Sequence, residues 1–65
     1  IGLARSWKRT TKVISSAYQS CEIGLVVSIY VTVSKVMIVG SLGRLDIYFT
    51  FQNGVLVGWR TEVVR

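Results

Sequence analysis

The acids of this 65-residue chain are Glu22, Asp46 and Glu62 only, and beside them stand one thiol, Cys21, and no imidazole. Without histidine, no side chain has an ordinary pKa near neutrality to serve as a base. Cys21 would act as a nucleophile only beside a base or a cation that lowers its pKa. It falls on an apolar stripe, which favours a structural thiol. One cysteine cannot complete a four-ligand zinc site without histidine partners. The run Gly40-Ser41-Leu42-Gly43-Arg44 lacks the lysine and the strand-to-helix setting of a phosphate loop. The expectation is a protein that is not an enzyme, needs no cofactor or metal and takes no small-molecule substrate.

Charge is better supplied than catalytic chemistry. The net charge is +5, and Arg5, Lys8, Arg9 and Lys12 place half of the basic residues within eight positions, ahead of the first acid, Glu22. A basic head joined to an apolar body points to an anionic partner, which would be nucleic acid, a phospholipid headgroup layer or an acidic protein face. Cations stacked along one side of a helix suit phosphate spacing, and their binding would release counterions. The competing reading is a solvated face that keeps a greasy chain soluble. A second candidate surface is a set of strand positions, Tyr30, Tyr48 and Arg60, with Thr50 and Gln52. Aromatic and basic residues on a sheet face can stack single-stranded bases, although Tyr and Thr are also ordinary formers of wet strand faces.

Two kinds of element must position these residues. Leu3, Trp7, Thr10, Ile14, Ala17, Tyr18 and Cys21 recur at three- and four-residue steps, which predicts an amphipathic helix over about 3–22. Arg5, Lys8, Arg9 and Lys12 fall on its opposite side, and Ser6 is placed to cap its start. Beyond Gly24 the period changes to two. In Leu25–Val33 and Leu45–Gln52 every odd position is apolar, and Val55, Val57, Trp59 and Val63 continue the rule. Successive side chains of a strand point to opposite faces, so this parity marks a sheet with one buried face. Val36-Met37-Ile38-Val39 reads either as a short central strand or as a continuation of the first strand past an irregularity at Ser34-Lys35. Gly40-Ser41-Leu42-Gly43 is a turn by composition, and Asn53-Gly54 is the strongest hairpin signal.

Parity also constrains that hairpin. A two-residue turn at Asn53-Gly54 would set Phe51 opposite Leu56, and therefore Ile47 opposite Arg60 and Leu45 opposite Glu62, with charges on the buried face. A three-residue loop, Gln52-Asn53-Gly54, sets Phe51, Phe49 and Ile47 opposite Val55, Val57 and Trp59. The three-residue loop is therefore expected.

These elements predict one small α+β domain. A basic helix packs on a three- or four-stranded antiparallel β-meander over about 25–33, 36–39, 45–51 and 55–64. Helix residues Leu3, Trp7, Ile14 and Tyr18 are expected to meet Leu25, Ile29, Val31, Ile47, Phe49, Phe51, Val57 and Trp59. So short a chain buries only about 60% of its unfolded surface, yet 51% of its residues are hydrophobic. The spare apolar area calls for partners, identical or otherwise. The first expectation is a non-catalytic assembly subunit, a homo-oligomer or part of a larger assembly, with nucleic acid as one anionic partner for Arg5, Lys8, Arg9 and Lys12. An intracellular setting, or the inside of a particle, is favoured over secretion because the cysteine is unpaired. The start at Ile1 reads as a processed or excised product. Two other readings stay open. One is a membrane-associated subunit with the apolar run Ile23 to Gly40 in lipid, which Lys35 and the alternation oppose. The other is a chain shaped by patterning alone, with no evolved activity.

Overall fold

The computed structural model describes residues 2–65, with side chains described from Ser6 onward; the expectations for the side chains of Leu3 and Arg5 therefore lie outside it. One helix, α1 (Gly2–Ser20), is followed by four strands: β1 (Val26–Val31), β2 (Lys35–Gly40), β3 (Gly43–Gln52) and β4 (Val55–Val64). The strands form one antiparallel sheet in the order β1-β2-β3-β4, so the α+β meander is the fold.

The helix tolerates its hydroxyl-rich sequence because those hydroxyls bond back along it. Thr10 Oγ1 donates to the Ser6 carbonyl at 2.7 Å, Thr11 Oγ1 to that of Trp7 and Ser20 Oγ to that of Ser16. Ser6 does not cap the start, since it lies inside α1. Its hydroxyl instead donates to the Gly54 carbonyl at 2.7 Å and accepts from the Leu56 N–H at 3.0 Å, pinning the helix to the β3–β4 hairpin. At the far end, Ile23 runs so close to Gly40 on β2 that a Cβ there would collide with the Ile23 carbonyl oxygen. The helix therefore crosses the sheet obliquely, from the free edge of β4 toward β2.

This crossing turns the helix relative to the expected stripe. Its sheet-facing side is Ser6, Thr10, Val13, Ile14 and Ala17, with Cys21 just past its end, whereas Trp7 and Tyr18 are exposed. Val36, Ile38, Leu45, Ile47, Phe49 and Leu56 complete the core with Ala17 and Ile23. Leu25, Ile29, Val31, Val57 and Trp59, expected to lie under the helix, are all exposed. Ile29 and Val31 do sit on the helix side, opposite Ile38 and Val36, as does Trp59 opposite Phe49. One helix about 10 Å wide cannot cover four strands spaced about 4.8 Å apart.

The hairpin also differs from expectation. Its turn is the two-residue Asn53-Gly54, with positive φ at both positions (53° and 76°), as a type I′ turn requires. Gln52 faces Val55 and Phe51 faces Leu56, but Thr50 then faces Gly58, leaving Val57 as the extra residue of a bulge. The bulge resolves the parity conflict: Ile47 meets Thr61 and Leu45 meets Val63, so Arg60 and Glu62 stay on the outer face. Leu56, at an even position, becomes core because parity inverts across the bulge.

Val36 to Val39 belong to a separate strand. The β1–β2 turn at Val33-Ser34 is held by Thr32, whose N–H and Oγ1 both donate to the Lys35 carbonyl. The run Ile23 to Gly40 thus contains two strands and a turn, and no described helix is long and apolar enough to cross a membrane.

Candidate interaction surfaces

The basic face comes first. Lys8, Arg9 and Lys12 are exposed on α1, away from the sheet. Lys8 and Arg9 lie in the N-terminal half of the helix and Lys12 just past its midpoint.

The outer face of the sheet carries a second, more organised set of charges. Cross-strand pairing places Tyr30, Met37, Asp46 and Glu62 in one row and Lys35, Tyr48 and Arg60 in the next. Asp46 points outward as its parity requires, yet it is 1% exposed. Its neighbours cover it: Arg44 Nε lies 2.9 Å from Oδ1 and Lys35 Nζ lies 3.8 Å from Oδ2. The Arg44 N–H is not aligned on Oδ1 as a hydrogen bond, so the contact is an ion pair held by charge. Glu62 stands directly opposite Asp46, a like-charge pairing that costs stability unless cations flank it. Lys35, Arg44 and Arg60 supply that flank. The Lys35 ammonium and the Arg60 guanidinium also approach the Tyr48 ring, at 4.9 and 4.4 Å from its centroid.

Of the sheet-face residues singled out from sequence, Tyr48 and Arg60 are thus brought together and engage each other. Tyr30 shares their face but lies two strands away, on β1. With two cations already on its ring, Tyr48 is poorly placed to stack a base. The helix cations and this sheet cluster lie on opposite layers of the molecule, so they cannot grip one flat partner together. Among the described residues no three of Cys, Asp and Glu gather in a way that could hold a metal. Cys21 is half-buried against the core.

The chain matches no family model, no curated protein and no solved structure at a significant level.

A third surface was only partly legible. The segment around β1 exposes Leu25, Val27, Ile29, Val31 and Val33, all by more than half and Val33 by 91%. The ten residues 25–34 hold no charge and no proline. β1 is an edge of the sheet, so one side of its backbone lacks a strand partner. A fourth feature adjoins it. The oblique helix leaves a groove of about 680 Å³ between Trp7 and the Val31–Val33 end of β1, floored by Val36, Phe49 and Phe51.

Proposed function

We propose that this protein is a non-catalytic assembly subunit that pairs with a second copy of itself through β1, and that its basic helix face contacts an anionic partner. The observation that carries the reading is the uncharged, apolar and unpaired edge at β1. Natural sheets protect such edges with lysine, proline, strong bulges or a covering segment, and residues 28–33 have none of these. A chain of charge +5 repels its own copies, so an uncharged edge is where two copies approach at least electrostatic cost. Antiparallel β1–β1 pairing would satisfy the open backbone groups and bury Ile29 and Val31 against their counterparts.

Sedimentation velocity in detergent-free buffer at moderate salt tests the assembly. A discrete species at a small multiple of 7.3 kDa supports it. A monomer at all concentrations, or material monodisperse only in detergent, overturns it. For the basic face, replacing Arg5, Arg9 and Lys12 with Gln should remove salt-sensitive binding to a single-stranded oligonucleotide while leaving the circular dichroism spectrum intact. Unchanged oligonucleotide binding, or none by the parent chain, would reduce that face to a solubilising one.

A further inference from the structure

The open edge of β1 has an internal symmetry. Read outward from its centre, Ser28-Ile29-Tyr30-Val31-Thr32 is a palindrome of side-chain types. A tyrosine stands in the middle, with a β-branched aliphatic on each side and then a hydroxyl on each side. Val27 and Val33 extend it by one more step. A two-fold interface asks for this property, because the same patch must complement itself when turned around. A foreign strand makes no such demand.

The backbone points to the same centre. The Thr32 N–H donates to the Lys35 carbonyl on β2 at 2.8 Å. Backbone groups alternate in direction along a strand, and the ladder from Ser28 to Val31 is regular. Tyr30 and Ser28 therefore also bond toward β2, while the N–H and C=O of Ile29 and Val31 point to the free side. A second β1 laid antiparallel can join these groups only where odd residues face odd residues. Centred on Ile29, the pairing would set Val31 against the bulge at Val27. Centred on Val31, it would set Ile29 against Val33 in the turn. Centred on Tyr30, Ile29 faces Val31 in both directions, and every open N–H and C=O of these residues is matched.

The side chains agree with that register, since directly opposed residues share a face. Ile29 and Val31, both exposed, would meet on the helix side. On the outer face Ser28 would meet Thr32, whose hydroxyl hydrogen already goes to the Lys35 carbonyl, leaving its oxygen free to accept from Ser28. The exposed Tyr30 would meet Tyr30 of the second copy. Aromatic, aliphatic and hydroxyl each oppose their own kind.

We propose that two copies join with their two-fold axis at Tyr30, so that two four-stranded sheets become one continuous sheet with a β4 strand at each outer edge. The proposal rests on the β1–β1 pairing and fixes which residues meet in it.

The test uses full chains carrying Cys21→Ala, so that an introduced cysteine is the only thiol. Opposed residues that do not bond to each other stand about 4.5 Å apart at Cα, within disulfide reach. With oxidised glutathione as the oxidant, Tyr30→Cys should give a covalent dimer. Ser28→Cys or Thr32→Cys alone should link at least about ten-fold more slowly, because each would lie about 14 Å along the strand from its own counterpart. An equimolar mixture of those two variants should cross-link readily. The mixture keeps Tyr30, so it reads the register even where Tyr30→Cys weakens the pairing. Self-linking of Ser28→Cys or Thr32→Cys as fast as the mixture overturns the register while leaving β1 pairing intact. So does the absence of any link in the mixture when the parent chain self-associates in sedimentation. A parent chain that sediments as a monomer overturns both.

Discussion

The two edges of this sheet are built differently. β4 is pinned at its hairpin end, where Ser6 engages Gly54 and Leu56, and it is kinked by the bulge at Val57. Its solvent side then carries Arg60 and Glu62. β1 has a bulge near Val27, but beyond that it presents a bare, uncharged backbone edge with Ile29 and Val31 standing exposed beside it. Edge strands are hazards when flat and apolar, and proteins commonly blunt them with charge, bulges or a covering element. β4 carries charge, a bulge and an anchor to the helix at its hairpin end, whereas β1 beyond its bulge carries none of these.

Truncation at the two edges gives the largest contrast. Leu56→Ala should cost about 2–5 kcal/mol in urea denaturation, because Leu56 is 1% exposed and a cavity would remain. Leu25→Ala, at 80% exposure beside β1, should stay within about 0.5 kcal/mol in dilute solution. Comparable losses at both sites would erase the distinction.

Next in size is the pin itself. Ser6→Ala leaves the Gly54 carbonyl and the Leu56 N–H without their partner, at a cost of about 1–3 kcal/mol by the same measurement. Hydrogen exchange should then speed up at Val55–Gly58 before it does elsewhere in β4; unaltered exchange there would show that the pin does not hold the edge.

The outer-face cluster is expected to matter less. Asp46→Asn breaks a buried ion pair, but the Arg44 and Lys35 side chains are 40% and 30% exposed and can return to water. About 1 kcal/mol should be lost. A loss above about 3 kcal/mol would mean that the cations remain trapped.

The smallest effect on folding belongs to β1. Ile29→Lys should leave stability within about 0.5 kcal/mol while weakening self-association at least about ten-fold, since it buries an unpaired charge in the pairing. Thr61→Lys on β4 should leave both unchanged.

Much of this architecture was legible because it rests on local period. The switch from period 3.6 to period two near Gly24 located the helix and the sheet, and Gly40–Gly43 and Asn53-Gly54 located two turns. The turn at Val33-Ser34 was legible only as an irregularity at Ser34-Lys35, because no glycine or asparagine marks it and a hydroxyl, Thr32, holds it instead. Parity correctly kept Arg60 and Glu62 off the helix side. It misplaced Leu56 and Val57 because a bulge and a three-residue loop both shift the ladder by one, and local sequence does not separate them. The rotation of α1 away from Trp7 and Tyr18 depends on Ser6 reaching a turn 48 residues away, which helical spacing alone does not encode. The open edge at β1 could have been foreseen from width, since four strands outrun one helix. Of the candidate site residues, sequence put Lys8, Arg9 and Lys12 on the exposed side of the helix and Tyr30, Tyr48 and Arg60 on one face of the sheet. The burial of Asp46 between Arg44 and Lys35, and the groove beside Trp7, needed the assembled sheet.

Hydrogen exchange of the β1 and β4 amides, followed from low to high protein concentration, tests the central claim most directly. Pairing through β1 predicts that exchange at residues 28–33 slows as concentration rises while exchange at 59–64 stays constant. Slowing on β4 with β1 unchanged, or no concentration dependence on either strand, would contradict the assignment of β1 as the edge where copies meet.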